Sequence, residues 1–349
     1  MKIFDFRSDT VTRPTVDMKA AMAAAELGDD VFGEDPSVNQ LEAKVAALLG
    51  KEAAMFVPSG TMANQIALNV HCRAGDSVLI EEDSHCFINE LGGGAALTGV
   101  QFDQVPLIDD MSDAAIRQRV RGETILSAPT RLMVVENTHG RNGGEARPVS
   151  EIERICRVGR EAKLQIHCDG ARLWNAAAKF GVAEADYARH FDTLAVCFSK
   201  GLGAPVGSAL VGPKTFIAQA RRVRKRWGGG MRQAGILAAA AVYALDHHRV
   251  RLADDHAMAA RLVDRFAALA AGGIALRMFP QRHPTNMVYV GLPPGTADRA
   301  VGAAREKGLL FHTVGGDVLR LVTHLDLPSD APEAMIGFLK SWLPTALPS

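Results

Sequence analysis

Two hydrophobic patterns alternate along the first two thirds of the chain. In one, apolar residues recur every three or four positions, as Val38, Leu41, Val45, Leu48 and Leu49 do. That spacing gives a helix one apolar face, with Ser37 placed to cap it and Gly50 to stop it. In the other, apolar residues run almost without interruption. The runs are Ala54–Val57, Ser77–Ile80, Arg131–Val135, Leu164–His167, Thr193–Phe198 and Ser208–Val211. Such runs suit strands covered on both faces. Helical patterns lie between many of them, which predicts an α/β domain whose mostly parallel central sheet is sandwiched by helices. Beyond it, a long helical stretch near Gly235–Leu262 leads to a smaller α+β domain. Met287–Val290 and Leu319–Val322 are its strands, and a last helix runs from about Ala331 to Trp342. The expected division is an N-terminal segment (1–14), a large domain (15–245) and a small C-terminal domain (246–349).

A length of 349 residues suffices for two cores. Lysine plus arginine and aspartate plus glutamate number 39 each, and this balance argues against a nucleic-acid partner. The start, MKIFDFRSDTV, lacks the apolar centre of a signal peptide. No stretch approaches the ~20 apolar residues that cross a bilayer, so no membrane association is expected. Five cysteines, odd in number and without a CxxC pair, point to neither a disulfide framework nor a metal site. They fit a reducing cytoplasm.

In a parallel sheet, ligands gather at the carboxyl ends of strands. Three segments place chemistry there. In Phe56–Asn64 a strand ends, small residues turn the chain and a helix begins. Its open amides, with the Ser59 and Thr61 hydroxyls, suit a phosphate, although an ordinary helix cap reads the same way. In Ile166–Arg172, Asp169 follows an apolar run. A carboxylate there can keep a pyridine nitrogen protonated, and it can equally cap a helix. In Val196–Ser208, Lys200 follows an apolar run and precedes a turn rich in glycine. Burial there lowers an amine's pKa and makes it a nucleophile toward an aldehyde. Gly201 and Gly203 let backbone pass close to a ligand. A phosphate cradle, an aspartate and a lysine, in that order at strand ends, describe a site for pyridoxal 5′-phosphate.

With these segments the chain resembles the low-specificity L-threonine aldolases, which use pyridoxal phosphate and have the fold of aspartate aminotransferase (fold type I). Phe6–Pro14, Gly28–Pro36, Pro58–Asn64, His167–Ala177, Ser199–Ser208, Gly228–Gln233 and Arg320–Asp326 carry the likeness. The resemblance implies that Lys200 holds the cofactor as a Schiff base and that Asp169 faces its pyridine nitrogen. It implies that Gly60 and Thr61 touch the phosphate and that His85 stacks on the ring. Ser8, Arg172 and Arg320 would hold the substrate carboxylate, where a guanidinium can form two parallel hydrogen bonds. Lys225 and Arg232 would reach a neighbouring subunit's cofactor phosphate in a homodimer or homotetramer. Two features depart from the family pattern: Phe32 stands where tyrosine is usual, and Gly140–Pro148 is longer than the usual segment after His139.

The expected reaction is retro-aldol cleavage of L-threonine, L-allo-threonine or a related β-hydroxy-α-amino acid to glycine and an aldehyde. Its proton acceptor is left open among His85, His139 and a water between them, histidine being suited by an ordinary pKa of ~6.5. The same site could serve a β-eliminating lyase or an aminotransferase, which product identity distinguishes. A binding protein without turnover would lack the lysine that is present here.

Overall fold

The structure is a computed structural model describing residues 2–107 and 110–346. The chain opens with a two-residue strand, β1 (Phe4–Asp5). Seven strands then build the central sheet: β2 (Ala53–Val57), β3 (Ser77–Glu81), β4 (Gln101–Val105), β5 (Thr130–Glu136), β6 (Gln165–Gly170), β7 (Thr193–Cys197) and β8 (Ser208–Gly212). Their order is β2-β8-β7-β6-β5-β3-β4. Only β8 runs against its neighbours, pairing antiparallel with β2 and β7. The other pairings are parallel. All six apolar runs are strands, and most of their residues are buried. Strand β4 was not anticipated. It lies at the sheet edge beside β3 alone, where Gln101, Asp103 and Gln104 are tolerated.

Two helix expectations are corrected. The cap of the second helix (Pro36–Leu48) is Asp35, which accepts from Val38 N at 3.0 Å. Pro36 occupies the first turn, where its missing N–H costs nothing. Ser37 lies inside the helix and donates to the Glu26 carbonyl at 2.8 Å. The stretch 235–262 is two helices, Gly235–His247 and Leu252–Ala271. No glycine or proline marks the break. It is a tertiary feature, with the buried His248 ring bonded to the Leu202 carbonyl at 2.7 Å.

Two large buried clusters follow. One gathers Leu41, Val45, Phe56, Val135, Ile166 and Leu194 around the central sheet. The other gathers Phe6, Leu262, Phe266, Val290, Leu321 and Leu339. Helix Leu252–Ala271 belongs to both, through Leu252 at its start and Leu262 and Phe266 further on. The second cluster lies under an antiparallel sheet. Its strands are β9 (Arg277–Met278), β10 (Met287–Gly291), β12 (His312–Thr313) and β13 (Val318–Val322), ordered β12-β13-β10-β9. Between them in sequence, β11 (Leu309–Leu310) pairs in parallel with β1. Burying Phe6 completely contributes roughly 1.5–3 kcal/mol and fixes the N-terminal segment on this second layer. Among the described residues, no helix is long and apolar enough to cross a membrane.

Candidate active site

Because β2, β3, β5, β6 and β7 share one direction, their carboxyl ends meet at one edge of the sheet. Ser8, His85, Arg172, Lys200 and Arg320 line one cavity of about 340 Å³ there. Lys200 sits three residues after β7 and is half-buried. Its backbone is fixed rather than its amine. The Lys200 carbonyl accepts from Thr12 Oγ1 at 2.9 Å and from Gly203 N at 2.8 Å. Gly207 closes the turn at φ +116°, and a Cβ there would fall 2.4 Å from the Phe56 ring. Glycine alone fits that position.

Behind the cavity wall a buried polar network holds Asp169. Asn64 Nδ2 donates to Asp169 Oδ2 at 2.8 Å and to Glu90 Oε1 at 2.9 Å. Asn64 Oδ1 therefore accepts from His167 Nε2 at 3.2 Å, and His167 Nδ1 accepts from Thr193 Oγ1 at 2.9 Å. Burial pushes the His167 pKa down to about 3, so the ring is neutral. Burial opposes charge on Asp169, but His85, Lys200 and the Ala171 N–H outweigh it and hold the carboxyl below its usual range. His85 Nδ1 lies 2.9 Å from Glu90 Oε1, and that bond raises the His85 pKa against the effect of burial. Gln65 Nε2 donates to Glu90 Oε2 at 2.6 Å. The chain thus presents an ionised carboxylate and an imidazole within 4.8 Å of each other.

On the opposite wall, Arg172 forms a two-pronged ion pair with Asp9: Nε to Oδ2 at 2.8 Å and Nη2 to Oδ1 at 2.5 Å. Asp9 is fully buried. Arg172 Nη1 has no partner among the described residues. Arg320 projects from β13 opposite Tyr289 of β10 and donates to the Arg7 carbonyl at 3.3 Å. Burial and the Arg172 charge lower its pKa. Ser8 Oγ lies 3.3 Å from Asp9 Oδ1.

The remaining expected residues lie outside the lining. Ser59 caps helix Gly60–His71, its Oγ accepting from Met62 N at 3.1 Å. Gly60 packs so closely that a Cβ would stand 2.8 Å from Cys197 Sγ, and Thr61 is next in the helix. His139 is buried, and its Nδ1 accepts from Asn142 N at 3.1 Å. Its Nε2 is buried and has no hydrogen-bond partner among the described residues. Lys225 lines a different groove, with Phe32. Arg232 pairs with Asp29 at 2.9 Å and lies over the Phe32 ring.

Several structural partners were not singled out beforehand: Asp9, Asn64, Glu90 and Glu136. Glu136 ends β5, lines the cavity and accepts from His85 N at 2.7 Å and Gly140 N at 2.8 Å. It stands at a strand end, the signal that marks Asp169. The donor set suits pyridoxal phosphate: an amine in the cavity, an ionised carboxylate behind it and a hydroxyl-bearing helix start.

Residues 5–292 match the family model described as beta-eliminating lyase. The probable low-specificity L-threonine aldolase 2 of Arabidopsis thaliana is 41% identical over 332 residues, covering 93% of this chain and 92% of that one. The low specificity L-threonine aldolase of Escherichia coli is 38% identical over 327 residues, covering 93% and 95%. Among solved structures, the threonine aldolase of Leishmania major superimposes with a TM-score of 0.82 at 24% identity, covering 97% of this chain and 99% of that one. The serine palmitoyltransferase of Sphingomonas wittichii does so with a TM-score of 0.73 at 18% identity, covering 97% and 86%. These two likenesses speak to the fold, that of enzymes built on a mostly parallel sheet between helices.

Proposed function

This chain belongs to the low-specificity L-threonine aldolase family within the beta-eliminating lyases, and on that premise we propose how its residues divide the work of cleaving threonine. It is a lyase that uses pyridoxal phosphate and splits L-threonine or a related β-hydroxy-α-amino acid into glycine and an aldehyde. The observation that carries the assignment of roles is the single cavity shared by Lys200, His85, Ser8, Arg172 and Arg320, with Asp169 buried behind it.

Bound through Lys200, the cofactor supplies an electron sink for the bond broken at Cα. Asp169, kept ionised, provides the negative charge that the pyridine nitrogen needs. The start of helix Gly60–His71 and the hydroxyls of Ser59 and Thr61 hold the phosphate. The His85 ring, in the cavity lining, would pack against the cofactor. Arg172 and Arg320 grip the substrate carboxylate with Ser8, and Asp9 keeps the Arg172 fork from turning. That grip would orient the substrate and so decide which of its bonds at Cα is broken.

The two histidines divide by tautomer. The Asn142 N–H bond to His139 Nδ1 places the His139 proton on Nε2, making that atom a donor. His85 donates its Nδ1–H to Glu90 in a hydrogen bond, leaving Nε2 to accept the β-hydroxyl proton, directly or across a water. His139, outside the cavity lining and buried at Nε2, would bear on that proton only through an intervening water.

Lys225 and Arg232, remote from their own chain's cavity lining, are assigned to a partner's phosphate in a homodimer or homotetramer. Five unpaired buried cysteines support a cytoplasmic setting. The two apolar clusters support a division into the N-terminal segment 1–14, a cofactor domain 15–245 and a small domain 246–349. Purified protein with added pyridoxal phosphate should absorb in the visible, and Lys200→Ala should abolish that band. Threonine should yield equal glycine and acetaldehyde. Ammonia and a keto acid as products would overturn the aldolase assignment.

A further inference from the structure

Among the described residues of the cavity lining, one arginine is left without a task by the reading above. Arg141 lines the cavity together with Lys200, Arg172 and Arg320. Arg172 is paired with Asp9 and, with Arg320, suffices for the α-carboxylate. Arg141 is exposed and forms no hydrogen bond or ion pair among the described residues. Asp83 lines the same cavity, yet no ion pair joins it to Arg141. Glu136 already accepts two backbone N–H groups.

The loop carrying Arg141 is built rather than loose. The Gly140 carbonyl accepts from Tyr289 Oη at 2.9 Å, and the Gly140 N–H goes to Glu136 at 2.8 Å. Gln281 and Thr285 each donate at 2.6 Å to the carbonyls of Gly143 and Gly144. Both glycines have positive φ, and a Cβ on Gly144 would meet Met287 at 2.8 Å. The small domain therefore holds this loop against the cavity, with Arg141 exposed in its lining.

Resting on the aldolase reading, we propose that Arg141 recognises a second acidic group on the part of the substrate released as aldehyde. The favoured substrates are then β-hydroxy-α-amino acids whose side chain ends in a carboxylate. β-Hydroxyaspartate is the simplest. Its Cα–Cβ bond breaks, the β-hydroxyl oxygen becomes the aldehyde of glyoxylate, and a proton is taken up at Cα to give glycine. No oxidant, reductant or water is consumed. A guanidinium fork is suited to a carboxylate, whereas the methyl group of threonine gains nothing from it.

The test compares kcat/KM of the holoenzyme for β-hydroxyaspartate and for threonine. The wild type should prefer β-hydroxyaspartate. In Arg141→Met the ratio of the two should fall about tenfold, through KM, and Arg141→Lys should restore part of it. Aspartate lacks the β-hydroxyl and cannot be cleaved. Its calorimetric affinity should weaken in Arg141→Met while that of alanine holds. A wild type that prefers threonine, or a ratio unchanged by Arg141→Met, overturns the inference and leaves the aldolase reading standing. A wild type that cleaves neither substrate overturns both.

Discussion

Asp9→Asn isolates the support beneath the substrate-gripping arginine. Asp9 is fully buried, and its carboxylate meets Arg172 Nε at 2.8 Å, Arg172 Nη2 at 2.5 Å and Asn286 Nδ2 at 3.3 Å. Asparagine keeps the shape, removes the charge and turns one acceptor into a donor facing the guanidinium. Breaking a buried pair from one side costs about 3–5 kcal/mol, because the other charge stays buried. With an unfolding entropy of about 2.1 cal/mol/K per residue over 349 residues, the melting temperature should fall by roughly 4–7 °C. Calorimetry of the holoenzyme reads this directly. The pH dependence has a definite sign. Burial opposes charge on Asp9, but Arg172, Lys200 and Arg320 outweigh it and hold the carboxyl well below its unfolded value. Its stabilisation is therefore full above ~3.9 and is lost as pH falls further. The variant should lack that acid loss. Asp9 acts on substrate through Arg172, so KM for threonine should rise about tenfold while kcat changes less. A melting temperature within about 1 °C of wild type and an unchanged KM would show that Arg172 stands without it.

Three further perturbations probe other parts of the site. Glu90→Gln removes the largest influence raising the His85 pKa, so the ionisation assigned to His85 in the pH–rate profile should move to lower pH. In the wild type, the stabilisation from that pair is full below the ordinary histidine value and fades as pH rises through the raised one. An unmoved profile would detach His85 from the limb. Gly207→Ala combines φ +116° with a Cβ 2.4 Å from Phe56, and should lose about 2 kcal/mol or more in denaturant titration and weaken cofactor retention. Mixing inactive Lys200→Ala with impaired Lys225→Ala should restore about a quarter of the wild-type sites if subunits share them, and nothing if they do not.

Much of this site was legible because strand ends are legible. Lys200 and Asp169 each follow an apolar run, and β6 and β7 bring them to one sheet edge. Glu136 ends β5 in the same way and went unmarked, since a strand-end carboxylate gains meaning only from what it accepts. Asp9 gave no signal of its own. It lies outside any periodic pattern, and its partner is 163 residues away. The network through Asn64 and Glu90 is tertiary in the same sense, each residue unremarkable on its own helix or turn. Strand β4 escaped because an edge position relaxes the demand for apolar residues. The break before Leu252 escaped because a contact with Leu202, rather than a breaker residue, accompanies it.

The pairing of β1 with β11 bears on how the protein is made. Phe4 and Asp5 lie against Leu309 and Leu310, and Phe6 N reaches the Leu310 carbonyl at 2.7 Å. Residues 4–6 therefore wait for a strand synthesised about 300 residues later, on the order of 15–60 s. Until then Ser8, Asp9 and Thr12 are not locked in place over Arg172 and Lys200. A nascent chain can assemble its central sheet and still lack one wall of its catalytic cavity. Activity thus arrives as a late event in biogenesis, and translation halted before residue 309 should yield a folded sheet that turns over no amino acid.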